Sequence, residues 1–400
     1  MSLGPTDDLD GLDRTWSRRL TAPDGQGTVR SWHVLDNRAA PTAGTMLCVH
    51  GNPTWSYLWR RFLAAAPPGW RVVAVDQLGM GWSERPPEPR RLAERIDDLD
   101  ALTTALAVDG PVVTVAHDWG GPISVGWALR HRDRLAGLVL TNTAVHHDPD
   151  TAAPGLIRLA RSSTLRELVC VRTPVFVRTA AALSRPALPR QVRDALASPY
   201  RDATDRQAVG DFVADIPLEP EHPSRAVLDC VAEGLAGLAD VPALLLWGAR
   251  DPVFTERYLD DLIDRLPQAD VQRYPRAAHL VTEDVPEAAG HVWQWVSALT
   301  NGSTPPTCSP APFALPWASQ LARKSDSAAA VTELSRGRTR ALSFAELEQR
   351  IQRAAAGLQA DGVRPGQRVA LLVPPGIDLT VAVYACWRAG AVIVVADAGL

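Results

Sequence analysis

The chain has 400 residues, of which 46% are hydrophobic and 22% are charged, and its formal net charge is −4. This composition is ordinary for a globular protein, and the length exceeds what one compact core usually holds, so we expect two domains or one domain with an insertion. The small net charge gives no electrostatic footprint for nucleic acid. Residues 1–20 lack the apolar core of a signal peptide, and no apolar run approaches the ~18 residues of a spanning helix, so we predict no transmembrane segment and no secretion.

The five cysteines are scattered along the chain without Cys-x-x-Cys spacing: Cys48, Cys170, Cys230, Cys308 and Cys386. An odd, sparse set of this kind indicates reduced thiols and argues against a zinc site. We therefore expect a cytoplasmic protein that binds no metal.

Strand and helix patterns alternate through the first 140 residues. Apolar runs predict strands at residues 29–35, 45–49, 71–75 and 135–140, with another that begins at residue 112 and ends before Asp118. Helical patterns cover residues 96–108 and 123–129. Such alternation predicts a parallel sheet that is covered by helices on both faces, which is an α/β fold.

Asp118 follows the predicted strand at residue 112 and precedes the helical pattern, with Ala116 two residues before it and Gly120 two residues after it. Strand, sharp turn and helix together form a nucleophile elbow, which holds one side chain exposed at the end of a sheet. A carboxylate at its tip implies attack on carbon to give an ester intermediate, rather than acylation of a serine. The alternative is a structural aspartate that caps the following helix.

The strand at residues 45–49 runs into His50-Gly51-Asn52-Pro53. A glycine and a proline on either side of an asparagine make a loop whose backbone N–H groups can point into a site and bind an anion. The same residues could also form a plain turn at the end of a strand.

Between residues 145 and 238 the pattern becomes helical and contains no convincing strand. The helical runs, which prolines interrupt, are residues 156–171, 175–183, 191–196, 207–212 and 226–238. An insertion of this kind between two sheet strands predicts a helical lid that shields a pocket from water.

The sheet pattern resumes at residues 242–247 and 271–274, and a helical pattern at residues 288–299 closes the domain. Asp251 and His279 each follow one of these strands, on the side of a parallel sheet where ligands bind. In chain order Asp118, Asp251 and His279 form a candidate triad. Asp118 would attack carbon, His279 would deprotonate water or stabilise charge, and Asp251 would fix the tautomer of the imidazole.

Residues 29–300 resemble the α/β-hydrolase fold, and in particular its haloalkane-dehalogenase-like branch. The resemblance lies in HGNPTW at residues 50–55, D-x-L-G-x-G-x-S at residues 76–83 and HDWGG at residues 117–121. It implies that Trp119 and Asn52 hold the leaving group and supply the backbone N–H groups of an oxyanion hole. Some members carry the acid directly after the strand before the lid, but that position is Asn142 here, so the acid is assigned to Asp251. Epoxide hydrolases of this fold use two lid tyrosines, whereas this lid has only Tyr200.

Residues 301–316 are rich in proline, serine and threonine, which predicts a linker. The residues that follow resemble the start of adenylate-forming, AMP-binding synthetases, at residues 342–347 (LSFAEL) and 362–371 (GVRPGQRVAL), with Ser343 and Gln367 as mild departures. Residues 396–400 are similar to the Asp-Pro-Gly of β-lactone synthetases. The phosphate loop of that family does not follow, so we expect the chain to end inside a second domain, and ATP and magnesium to bind only to a complete synthetase domain.

A hydrolase-like domain ahead of an AMP-binding synthetase resembles an arrangement of bacterial long-chain olefin biosynthesis. There the synthetase makes a β-lactone and its partner decarboxylates the lactone to a cis-alkene, and residues 212–217 (FVADIP) resemble that decarboxylase subgroup. The resemblance implies a cofactor-independent β-lactone decarboxylase that acts on a long-chain substrate alongside other olefin-biosynthesis enzymes. Haloalkane dehalogenase, ester or lactone hydrolase and a non-enzymatic binder remain alternatives.

The predicted organisation is an α/β-hydrolase domain at residues 1–300 with its cap at about residues 146–238. The linker of residues 301–316 and the start of an AMP-binding domain at residues 317–400 follow.

Overall fold

The computed structural model describes residues 9–148, 155–300, 323–335, 338–364 and 366–395. The chain divides into two compact units, Met1–Ser309 and Pro310–Leu400. The predicted linker at residues 301–316 and the segment 396–400 lie outside the described residues. No helix in the described ranges is long and apolar enough to cross a membrane.

The first unit is built on a mixed sheet of eight strands in the spatial order β1-β2-β4-β3-β5-β6-β7-β8. The strands are β1 (Ser17–Pro23), β2 (Val29–Asp36), β3 (Gly44–Val49), β4 (Trp70–Val75), β5 (Val112–His117), β6 (Leu135–Thr141), β7 (Ala243–Gly248) and β8 (Asp270–Tyr274). Every residue of β3, β5 and β7 is buried, as expected for central strands of a sheet that is covered on both faces. The predicted α/β class is confirmed.

In spatial order, the strands from β4 to β8 are parallel. Strand β2 is antiparallel to both of its neighbours, β1 and β4, which the sequence reasoning did not predict. For β1 and β2 the reason is the short connection between them. Asp24 accepts hydrogen bonds from the backbone N–H groups of Gln26 (2.9 Å) and Thr28 (2.8 Å), and Gly27 takes a φ of +80°. A turn this tight can join only antiparallel strands, whereas a parallel pair needs a long crossover.

Helices cover the sheet and form the cap. Those of the core are α1 (Arg60–Ala64), α2 (Leu92–Ala105), α3 (Gly120–Arg130), α10 (Glu256–Arg265), α11 (Val281–Asp284) and α12 (Ala288–Thr300). Those of the cap, between β6 and β7, are α4 (Gly155–Arg161), α5 (Ser163–Arg166), α6 (Val175–Ala182), α7 (Arg190–Ala197), α8 (Gln207–Ala214) and α9 (Arg225–Gly234). Short 3-10 turns lie at Arg14–Trp16, Ser56–Trp59 and Leu235–Leu238. Among the described residues 155–238 there is no strand.

The helical run predicted at residues 156–171 does not form one regular helix. The segment instead forms α4, α5 and a π-helical turn at Glu167–Arg172. The turn buries Cys170 and Val171, and a Cβ at Gly210 of α8 would lie 2.7 Å from Val171 Cγ2. The irregular turn therefore carries apolar side chains into close contact with α8, which a continuous pattern of apolar residues does not reveal.

The second unit contains β9 (Ala329–Ser335), β10 (Arg338–Ser343), α13 (Phe344–Ala360), β11 (Arg368–Leu371), α14 (Ile377–Arg388) and β12 (Val392–Val395). β9 and β10 are antiparallel, and β11 and β12 are parallel. Ser343 begins α13 with a capping box, because its Oγ accepts from Glu346 N (3.2 Å) and Glu346 Oε2 accepts from Ser343 N (2.9 Å).

Candidate active site

Asp118 lies at the sharp turn between β5 and α3 with a φ of +52°. This left-handed conformation is strained for a residue with a side chain, so the surroundings must hold it in place. Asp118 N donates to Asn142 O (3.1 Å), and Asp118 O accepts from Gly121 N (2.9 Å) and from the hydroxyl of Thr143. The turn is therefore fixed by the end of the neighbouring strand β6 as well as by its own helix.

Gly51 lets the loop after β3 approach the carboxylate of Asp118. A Cβ at Gly51 would lie 2.1 Å from Asp118 Oδ1, so no other residue fits without displacement. The close approach brings Asn52 N within 2.6 Å of Asp118 Oδ1, to which it donates. The loop predicted to offer N–H groups to a site thus directs one of them at the candidate nucleophile.

Asp251 and His279 are joined by a buried hydrogen bond, with Nδ1 of the imidazole 2.9 Å from Oδ2 of the carboxylate. Asp251 is also held by its own loop, since Oδ1 accepts from Val253 N (2.8 Å). Phe254 stacks on the imidazole with ring centroids 5.8 Å apart and an interplanar angle of 16°. The imidazole is therefore held at one nitrogen and on one face.

The charges around His279 favour its protonated form. Burial alone would lower its pKa, but the negative charge of Asp251, the hydrogen bond to it and the charge of Asp118 raise the pKa to about 9. His279 is thus an imidazolium at neutral pH.

Burial raises the pKa of the Asp118 carboxyl group, while His279 and the backbone N–H groups of Trp119 and Asn52 act in the opposite direction. A carboxylate that is removed from water but supported by directed donors is suited to nucleophilic attack.

His117, the residue before Asp118, lies behind the imidazole of His279, with ring centroids 4.7 Å apart. Burial, followed by the charge of His279, lowers the pKa of His117 well below its usual range, so it is neutral. Its Nε2 donates to His279 O (2.8 Å). His117 therefore supports the loop that carries His279, although the sequence reasoning gave it no role.

Asn52 and Trp119 both lie beside the carboxylate. The side chain of Asn52 reaches the cap, where Nδ2 donates to Val209 O (3.1 Å) of α8, while its Oδ1 is buried and has no partner among the described residues. Trp119 packs on Phe212 of the same helix, with ring centroids 5.6 Å apart at 60°. Both predicted leaving-group holders are thus in contact with cap helix α8.

A cavity opens above Asp118. It is lined by Asp118, Trp119, Pro122, Ala144, His146, His147, Ile157, Ile216, Pro217, Leu218, Leu228, Val253, Phe254 and Tyr258. Most of these side chains are apolar, and several come from the cap. The cavity therefore suits a hydrophobic substrate whose reactive group lies at the carboxylate.

Sequence reasoning missed some residues of this site. Asn142 was noted only because it is not an acid, but its Nδ2 donates to Asp251 Oδ2 (2.9 Å) while its Oδ1 accepts from Gly248 N (2.8 Å). Phe254 is not part of a recognisable motif. Its position three residues after Asp251 was the one feature of the sequence that could have placed it in the site. Tyr200, the lid tyrosine, does not line the cavity, since its hydroxyl donates to Thr54 O (3.0 Å) in the core.

Residues 44–286 match the family described as the alpha/beta hydrolase fold, and residues 317–400 match the AMP-binding enzymes. The chain is 36% identical over 256 residues to the cis-3-alkyl-4-alkyloxetan-2-one decarboxylase of Xanthomonas campestris pv. campestris, covering 60% of this chain and 83% of that protein. It is 31% identical over 263 residues to haloalkane dehalogenase 2 of Mycobacterium bovis, covering 64% of this chain and 87% of that protein.

The haloalkane dehalogenase DatA from Agrobacterium tumefaciens C58 has a similar structure, with a TM-score of 0.62 and 22% identity over 71% of this chain and 97% of that one. This likeness concerns the fold. The family match covers more than half of the chain and includes strands β3 to β8, the elbow and the cap described above. The chain belongs to the α/β-hydrolase fold family.

Proposed function

We propose that this protein is a β-lactone decarboxylase that converts a long-chain cis-3,4-dialkyl-oxetan-2-one into a cis-alkene and carbon dioxide. The observation that carries the proposal is the 36% identity to a decarboxylase whose name specifies this substrate, over 83% of its length. The apolar cavity above Asp118 is the second support, because the two alkyl chains need such a lining.

In the first step, Asp118 attacks the ring carbon that bears the ring oxygen. The bond between that carbon and the ring oxygen breaks, with inversion, and gives an alkyl-enzyme ester and a free carboxylate. Asn52 and Trp119 would hold this carboxylate, which occupies the place of a leaving group. The attack is favoured by the desolvation of the Asp118 carboxylate.

In the second step, the bond to the carboxylate breaks and its electron pair forms the carbon–carbon double bond as Asp118 departs. Carbon dioxide leaves, and Asp118 is regenerated as a carboxylate. Inversion followed by anti elimination preserves the cis geometry of the lactone. Neither water nor a net proton is consumed.

His279 balances charge in this scheme rather than acting as a base. With a pKa of about 9 it is protonated in the free enzyme, and its positive charge can stabilise the carboxylate that ring opening produces. Asp251 keeps the imidazole oriented and charged. Esterification removes the charge of Asp118, which would lower the pKa of His279, so a hydrolytic second step stays chemically open.

That hydrolytic step defines the second candidate function, a haloalkane dehalogenase, or a hydrolase of esters or lactones. The 31% identity to haloalkane dehalogenase 2 favours it, and the same nucleophile, acid and histidine would serve. A dehalogenase would release halide and an alcohol, and a lactone hydrolase would release a hydroxy acid.

Product identity tests the proposal. The protein is incubated with a long-chain cis-β-lactone, and the products are identified by mass spectrometry. We expect cis-alkene and carbon dioxide, and neither from Asp118→Ala. Hydroxy acid as the product, halide release from haloalkanes without alkene formation, or full activity of Asp118→Ala would contradict the proposal.

His279→Phe separates the two second steps. If water must cleave the ester, the variant accumulates a covalent adduct on Asp118, because no base activates the water. If the ester decays by loss of carbon dioxide, the variant still forms alkene, more slowly, and intact-mass spectra show little adduct. We expect the second result.

We also propose that residues 1–300, with a cap at about residues 146–238, form the decarboxylase domain and need no cofactor, and that residues 301–316 link it to an AMP-binding region at residues 317–400. A complete AMP-binding domain would use ATP and magnesium to supply the β-lactone. These features support a role in cytoplasmic olefin biosynthesis with other enzymes of that route as partners.

A further inference from the structure

Arg95 on α2 is a buried cation beneath the cap. It is 3% exposed, and its Nε and Nη1 atoms have no hydrogen-bond partner among the described residues. An arginine in such a place is unusual, because burying a charge without hydrogen bonds is unfavourable unless other interactions offset it.

Two kinds of contact offset the burial of Arg95. Burial lowers its pKa to about 10, and the charges of Asp215, Asp98 and Asp211 oppose that shift, so the side chain stays protonated at neutral pH. The guanidinium carbon also lies 3.3 Å from the ring centroid of Phe212. This is a cation–π contact, which is strongest when both groups are removed from water, and Phe212 is fully buried.

Phe212 connects this cation to the active site. Its ring packs against Trp119. Trp119 follows the nucleophile, lines the substrate cavity and supplies a backbone N–H to the Asp118 carboxyl group. Arg95, Phe212 and Trp119 therefore form a continuous chain of contacts from the core domain, through cap helix α8, to the reaction centre.

We propose that Arg95 is a positioning residue that fixes the indole of Trp119 by holding the ring of Phe212. The inference rests on the proposed function only in that Trp119 holds the carboxylate formed on ring opening. Loss of the contact would let the ring of Phe212 and the indole occupy several orientations.

A double-mutant cycle on alkene formation tests whether Arg95 acts through Trp119. We expect Arg95→Met to lower kcat about tenfold with little change in KM, Phe212→Leu to act similarly and Arg95→Lys to retain most of the activity. In a Trp119→Phe background, Arg95→Met should lower kcat much less, because the indole that Arg95 is proposed to position is already absent. An equal fold-loss in both backgrounds, or an unchanged kcat, would overturn the proposal.

Arg91→Met is the matched control. Arg91 directly precedes α2, and its half-exposed side chain pairs with Asp215 of the cap at 3.5 Å. Among the described residues, the cation–π contact on Phe212 comes from Arg95 and not from Arg91. Like Arg95→Met, this variant removes a cation from the junction of core and cap, but it leaves the contact between Arg95 and Phe212 in place. We therefore expect kcat to stay within about twofold of the wild type. A loss as large as that of Arg95→Met would assign the effect to cap docking in general and overturn the proposal.

A second measurement needs no turnover, so failure of the proposed function and failure of this inference are distinguishable. The protein is labelled with 5-fluorotryptophan, and the ¹⁹F resonance of Trp119 is assigned by its loss in Trp119→Phe. We expect Arg95→Met to shift or broaden this resonance, and Arg95→Lys and Arg91→Met to leave it close to the wild type. A Trp119 resonance that is unchanged in Arg95→Met would overturn the proposal, whatever the product assay gives.

Discussion

Asn142 Nδ2 and His279 Nδ1 contact the same oxygen of Asp251, each at 2.9 Å. In some members of the family that the sequence resembles, the acid of the triad occupies the position of Asn142. The amide is oriented by Gly248, whose N–H donates to Asn142 Oδ1 (2.8 Å). Two candidate positions for one carboxylate therefore lie side by side, and the amide at one of them holds the carboxylate at the other.

The first prediction follows from this arrangement. Asp251→Asn should lower activity strongly, because the imidazole loses its charged partner, and Asn142→Asp in the same protein should restore a measurable part of it. Steady-state alkene formation by the two single variants and the double variant provides the measurement. If the double variant is no more active than Asp251→Asn, the carboxylate cannot act from position 142.

The pKa of His279 should depend mainly on Asp251. Removing that charge in Asp251→Asn should lower the pKa from about 9 by at least about one unit, as measured by NMR titration of the imidazole. Asp284→Asn is the control, because Asp284 is the weakest of the three charges that raise this pKa, after Asp251 and Asp118, and should have a smaller effect. A pKa that stays near 9 in Asp251→Asn would mean that Asp118 dominates instead.

The same shift predicts how stability depends on pH. The pKa of His279 is raised in the folded protein from an ordinary value of 6.5 to about 9, so the native state holds a proton that the unfolded state releases. The stabilisation is complete below pH 6.5 and is lost as the pH rises through 9, so the free energy of unfolding should fall over this range. Urea denaturation should show a shallower decline in Asp251→Asn than in the wild type. Equal declines would contradict the assignment.

The strands that lead to the candidate site could be predicted from the sequence, because buried parallel strands are apolar runs and Asp118, Asp251 and His279 each follow one. The roles of Asn142 and Phe254 could not, since they depend on distances between loops that are far apart in the chain. Strand β1 was not predicted because Ala22 is its only buried residue and two arginines stand near its start, so the sequence shows no apolar run there. The π-helical turn of the cap could not be predicted, because its apolar residues fit a regular helix equally well.

Two glycines should respond in opposite ways to the same substitution. Gly51→Ala would place a Cβ 2.1 Å from Asp118 Oδ1, so we expect activity to fall sharply and stability to fall by about 1–3 kcal/mol. Gly290→Ala in helix α12 meets nothing within 4 Å, and should raise stability by up to about 1 kcal/mol without changing activity. Thermal unfolding and alkene formation measure both effects. An active Gly51→Ala would show that the loop can withdraw from the nucleophile.

The cap wall of the cavity should limit the length of the alkyl chains. Leu228 on α9 lines the cavity and is 6% exposed, so Leu228→Trp would fill part of the space above Asp118. Because the added ring competes with the distal part of a chain and leaves the reaction centre unchanged, kcat/KM should fall for long-chain lactones and change little for short ones. Leu168→Trp, at a cap position that is 54% exposed, is the control and should leave the ratio unchanged. If Leu228→Trp lowers kcat/KM equally for both lengths, this wall contacts the reacting ring, and chain length is selected elsewhere.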